Sequence, residues 1–190
     1  MINLEMQKKN FEKHVAKFTD LGNIKILDFA EPNTRCYCIR FLFDEDFCCL
    51  HITGDLGQLT ATNYNNMIYE RFGDFVHNPS YFMGKINCHS RDLFEYDEDS
   101  AYKEIEEHIK DYELELPEDY ENIHDFICDV LEDFSDRRGL SEKGYDVLSK
   151  IDSDCWEYAS SIGKRSTGIV ELYLLAFELA TEQLKNKGAE

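Results

Sequence analysis

The sequence predicts an α+β protein: a small N-terminal antiparallel sheet flanked by helices, followed by a mostly helical, acidic C-terminal half. Three observations predict it. Residues 24–62 read as a series of short strands, 24–29, 35–42, 47–53 and 58–62, separated by turn residues. From residue 99 onward the apolar spacing changes to that of helices. The acids are also segregated: residues 92–136 hold 19 Asp and Glu against two Lys, while 1–91 and 137–190 are each net −1.

Each element follows from local pattern. Phe11, Val15 and Phe18 recur at i, i+4 and i+7, which predicts a helix over 5–19 closed by Asp20-Leu21-Gly22-Asn23. Residues 24–29 alternate as a strand, and Glu31-Pro32-Asn33-Thr34 is a turn. Residues 35–42 and 47–53 form a predicted hairpin around Asp44-Glu45-Asp46. Tyr37, Ile39, Phe41 and Phe43 fall on one face, and Cys36, Cys38 and Leu42 on the other. Both faces are largely apolar, so a sheet covered on both sides for part of its length is expected. Gly54-Asp55-Leu56-Gly57 turns the chain into a short strand at 58–62. A short helix is predicted over 65–72, and another opens with Asn78 as cap and Pro79 at its first position.

In the second half, Tyr102, Ile105 and Ile109 line one helix face. Pro117 opens the next segment. Ile123, Phe126, Ile127, Val130, Leu131 and Phe134 predict an amphipathic helix over 121–134, terminated by Gly139. Ser141 caps another helix, and Cys155, Trp156 and Ala159 suggest a short one. Thr167 is the expected cap of a last helix reaching 187. That helix is apolar around most of its girth from 169 to 180 and should be central to the core. The organisation expected is a sheet region at 1–98 and a helical region at 99–190, packed as one domain.

Composition bounds the function. Of 190 residues, 43% are hydrophobic, which supplies a core and excludes a disordered chain. The most apolar stretch, 169–180, carries Glu171 and Glu178 and falls short of the ~20 residues a bilayer span needs. The first residues contain no apolar run ending in small residues, so no signal peptide is read. A cytoplasmic location is expected, with the seven cysteines reduced. A net charge of −19 repels phosphate, which argues against direct nucleic-acid binding and for a basic partner.

Four groups of residues are candidates for chemistry. Cys36, Cys38, Cys48, Cys49, Cys88 and His89 offer soft ligands, but their spacing is not that of a zinc knuckle, and buried core cysteines are the commoner arrangement. Gly54, Asp55 and Gly57 form a two-glycine turn. It either approaches a ligand closely or is a tight turn whose Asp caps backbone donors. It is not a phosphate loop. The six histidines and seven cysteines sit in no recognisable catalytic context, so no catalytic residue, metal or cofactor is assigned. The acids are the strongest candidate. Glu121, Asp125 and Asp129 recur every four residues on the predicted 121–134 helix, continued by Glu132 and Asp133, with Asp97, Glu98, Asp99, Glu106 and Glu107 upstream. A solvated face is the ordinary reading of such a run. A surface that occupies a basic nucleic-acid-binding site is the functional one.

Ile52-Thr53-Gly54-Asp55-Leu56-Gly57 carries an I-T-G-D-x-G motif, and Asn78-Pro79-Ser80-Tyr81-Phe82 an N-P-x-Y-[WF] motif with Lys85 following. Together with Phe11, Tyr37 and Phe41, these resemble a group of phage and prophage proteins with no assigned activity. The resemblance covers roughly residues 8–90 and leaves the acidic half outside. It implies a phage setting and nothing about mechanism. The resulting expectation is an anti-CRISPR-like inhibitor of a host defence nuclease. As a monomer or homodimer it would bind, by its acidic surface, a basic protein such as a Cas effector. The alternatives are a small-ligand protein that binds a nucleotide signal near Gly54, Gly57, Arg40 and Lys85, and a metalloprotein or enzyme.

Overall fold

The alternating segments pair in chain order, each with its neighbour. The computed structural model describes residues 3–34 and 36–187. Its strands β1 (Val15–Asp20), β2 (Ile24–Ala30), β3 (Ile39–Asp44), β4 (Cys49–Gly54), β5 (Leu59–Thr62) and β6 (Ile86–His89) make one antiparallel sheet in the order β1-β2-β3-β4-β5-β6. The protein is α+β, with the sheet at the N-terminal side as its pattern predicts.

The chain divides into two compact units, one formed by 1–93 with 167–190, the other by Phe94–Ser166. This differs from a division at residue 98. The second unit is an insertion, and the last helix belongs with the sheet. The inserted chain enters along β7 (Phe94–Tyr96) and leaves along β8 (Lys164–Ser166), which pair with each other.

In the first unit, Ile39, Phe41 and Phe43 point into the core beside Leu27 and Phe29 of β2 and Leu50 and Ile52 of β4. Helices α2 (Gly73–Val76), α3 (Pro79–Met83) and α7 (Ile169–Lys187) share that core, whereas α1 (Leu4–Asn10) buries none of its residues. Helix α7 is buried at every position from Leu172 to Phe177, as its apolar girth predicts. Phe177 meets Phe72 edge-on at 4.8 Å, and Phe41 and Phe43 at 5.5 and 6.1 Å. Such ring pairs add about 0.5–1.5 kcal/mol each beyond the area they bury. Asn78 caps α3 through its side chain, with Pro79 at the first position.

Four expectations are not met. Residues 15–20 form β1 rather than the second half of a helix, because all six pair with β2. Ladder pairing and the burial of Ala16 outweigh a spacing that also fits a helix, and Phe18 stacks on Tyr69 at 4.3 Å. The sheet is buried on one face only: Arg40 and Thr53, on the opposite face, are exposed. Thr167 does not cap α7; its hydroxyl donates to the Asp92 carbonyl at 2.8 Å, and its N–H to the Leu93 carbonyl at 3.0 Å. The hairpin strand expected from 35 begins at Ile39, and Arg35 lies outside the described residues. Among the described residues no helix is long and apolar enough to cross a membrane.

The second unit holds α4 (Glu98–Asp111), α5 (Ile123–Val130) and α6 (Glu142–Leu148). Ala101, Ile105 and Ile109 of α4 pack with Phe126, Ile127 and Val130 of α5 and with Val147 and Leu148 of α6. Side-chain caps start all three helices: Asp97, Asn122 and Ser141 accept from the N–H groups of Ser100, Asp125 and Gly144. Helix α5 has eight residues, shorter than the predicted 121–134. It stops because Asp133 takes a left-handed conformation (φ +61) and Ser135 bridges to Gly139.

Candidate functional site

The charge segregation lies within one folded unit. Phe94–Ser166 carries 23 Asp and Glu against eight Lys and Arg. Three of those eight cations are consumed internally. Arg165 pairs with Asp97 at 3.0 Å, Lys110 with Glu106 at 2.9 Å, and Lys143 with both Asp129, at 3.2 Å, and Glu132. Such exposed pairs hold side chains in place but contribute little to stability, because solvent screens them.

The ten acids singled out from sequence therefore divide. Asp97, Glu106, Asp129 and Glu132 have ionic partners. Asp97 is the α4 cap: the Ser100 N–H, then the Ser100 side chain and Arg165, hold its carboxyl below the usual carboxylate range. Asp129 is held down by the Tyr120 hydroxyl and by Lys143, and the same bond pushes the Tyr120 phenol up to about 12. Asp125 accepts from the Asn122 side chain at 2.8 Å. Glu98, Asp99, Glu107, Glu121 and Asp133 are exposed, and their side chains make no hydrogen bond or ion pair among the described residues. The unbroken helical row of carboxylates expected on 121–134 is not formed. Glu121 precedes the cap of α5, and Glu132 and Asp133 follow its end.

Glu98 and Asp99 open a groove of about 560 Å³ that also takes in Tyr102, His124 and Cys128. The Tyr102 hydroxyl lies 3.0 Å from Nδ1 of His124, and the Cys128 thiol 3.7 Å from Nε2.

A second cluster was not read from the sequence. Nε2 of His108 lies 3.0 Å from Oδ2 of Asp152, which also accepts from the Tyr158 hydroxyl at 2.7 Å. Oδ1 of Asp152 accepts from the Asp154 N–H at 2.9 Å. Burial works against the Asp152 charge, but these donors outweigh it and hold the carboxyl below its ordinary value. Burial and Asp152 raise the Tyr158 phenol strongly. The His108 ring sits 4.5 Å from Tyr112 and 4.4 Å from Tyr158. His108 and Asp152 are 44 residues apart, so no motif joins them. The available signal was His108 itself, on the Ile105–Ile109 side of α4 where a polar residue is unexpected.

The glycine turn is tied to Cys38, 17 residues away in the chain, rather than to its own local donors. The Asp55 carboxylate accepts from the Cys38 N–H at 3.2 Å, while the Asp55 N–H donates to the Cys38 carbonyl at 3.0 Å. Gly54 has φ +148, and a Cβ there would lie 1.9 Å from the Cys38 oxygen. Tyr173 of α7 donates to the Leu56 carbonyl at 3.0 Å. Arg40, considered for a phosphate ligand, is paired with Asp28 at 2.6 Å, and Lys85 lies 4.4 Å over the Tyr81 ring. Of the seven cysteines only Cys155 is fully buried, so core filling explains that one, while Cys36, Cys88 and Cys128 are exposed. No group of three or more His, Cys, Asp and Glu is placed to hold a metal among the described residues.

No protein-family model, curated protein or solved structure matches this chain.

Proposed function

We propose that the inserted helical unit is a docking module. Its acidic surface engages a protein with a basic, nucleic-acid-binding face, and a host defence nuclease is the target class. The mode is stoichiometric occlusion, as in an anti-CRISPR inhibitor. The observation that carries this reading is the charge of the unit, 23 acids against eight basic residues, with three of the eight already paired. Self-repulsion on that scale destabilises a compact fold, and a cationic partner relieves it. The side-chain caps on α4, α5 and α6 keep the module preorganised, so little ordering entropy is lost on binding.

Electrostatic steering makes association fast and salt-sensitive. The test uses Glu98→Gln, Asp99→Asn, Glu107→Gln and Asp133→Asn together, because these side chains make no hydrogen bond or ion pair among the described residues. Binding to a Cas effector and inhibition of its cleavage should fall at least about tenfold, mostly through slower association. Unchanged binding by the folded variant would overturn the reading.

A further inference from the structure

The cavity beside His108 has a chemistry distinct from the open acidic surface. It measures about 310 Å³ and is lined by Glu104, His108, Tyr112, Tyr158 and Ser161 over apolar Ile105, Leu148 and Ile162. Its donors are spent. The Asp152 carboxylate has no proton of its own to give, so the 3.0 Å contact is an Nε2–H of His108 donating to it. The Tyr158 hydroxyl donates to Asp152 as well, and the Ser161 hydroxyl donates to the Tyr158 carbonyl at 2.7 Å.

What remains is chiefly acceptor. Nδ1 of His108 makes no hydrogen bond among the described residues. Glu104 uses Oε2 for the Gly163 N–H at 2.8 Å, and its Oε1 has no hydrogen-bond partner among the described residues. Tyr112 is exposed, and its hydroxyl can act either way. No lysine or arginine lines the cavity. A ligand here must bring several donors, a positive charge for Glu104, a flat face for the tyrosine rings, and an apolar stem for Ile105, Leu148 and Ile162.

We propose that this cavity receives an arginine side chain of the docked protein. Guanidinium has five donors, no acceptor and a planar face that stacks on aromatic rings; an ammonium lacks the plane. This deepens the docking proposal and rests on it for the source of the arginine. The cavity itself is tested without a partner.

The full chain, with labelled tyrosine rings, is titrated at about pH 8 and ~0.15 M salt with N-acetyl-L-arginine amide, and in parallel with N-acetyl-L-lysine amide. Saturable shifts of the Tyr112 and Tyr158 ring signals are expected, with the arginine compound binding at least about threefold more tightly. Glu104→Gln keeps an oxygen for the Gly163 N–H and should weaken arginine binding, as should Tyr112→Ala. Glu98→Gln should not. Absence of saturable ring shifts, or equal binding of the two compounds, would overturn the arginine site while leaving the docking proposal to its own charge-variant test. Loss of docking in the charge variants with an intact arginine titration would overturn the surface and leave the cavity standing as an arginine site.

Discussion

Asp152 and His108 meet at 3.0 Å, and the same carboxylate oxygen takes the Tyr158 hydroxyl at 2.7 Å. One half-buried charge thereby fixes a ring on α4 and a ring from the segment that follows α6. Asp152→Asn should destabilise the inserted unit by about 1–3 kcal/mol, because its NH₂ would face a donor where the carboxylate accepts. Urea denaturation followed by tyrosine fluorescence measures this.

Acid should act through the same group. The folded-state pKa of Asp152 is depressed, so its contribution is fully present above the unfolded value near 3.8 and is lost as pH falls through the folded value. Asp129 has the same sign. The urea midpoint should therefore drop steeply below pH 3.8, and Asp152→Asn should reduce the slope in that window. An equal slope in the variant would show that acid acts elsewhere.

Tyr120 should ionise late in an alkaline titration, together with the raised phenols of Tyr158 and Tyr173. Its phenol, bonded to Asp129, ionises only near pH 12. Ultraviolet difference spectra of the wild type and Tyr120→Phe should differ by one tyrosine in that late phase. The substitution should also cost about 1 kcal/mol, the net worth of a typical hydrogen bond.

Two glycines make a matched pair. Gly54→Ala places a methyl 1.9 Å from the Cys38 oxygen at φ +148, whereas a Cβ at Gly73 meets nothing within 4 Å. The first should destabilise by about 3 kcal/mol or more through strain and displacement of β3 from the turn. The second should be neutral or stabilise by up to ~1 kcal/mol. Thermal melts of the two variants distinguish them.

Phe177→Ala should cost about 3–5 kcal/mol, since the ring contacts Phe41, Phe43, Phe72 and Tyr69 within 4.8–6.1 Å. Calorimetry should show the loss in the unit that contains the sheet.

Local chemistry alone determined several features. Ile39, Phe41 and Phe43 alternate, and they line the buried face of β3. Asn78-Pro79 and Ser141 start the helices they signal, and α7, apolar around most of its girth from 169 to 180, is buried at every position from Leu172 to Phe177. The acidic excess could be counted directly, though not its division into paired and unpaired carboxylates, because Lys143 and Arg165 reach Asp129 and Asp97 only after folding. Tertiary structure decided the rest. It made 15–20 a strand, returned α7 to the sheet across the insertion, and joined His108 to Asp152. Periodicity and caps act between residues within a few positions of each other, and the sequence displays them. Which distant strand satisfies a backbone donor, or which distant carboxylate meets an imidazole, depends on the total burial and hydrogen bonding of the assembled chain, which no local window contains.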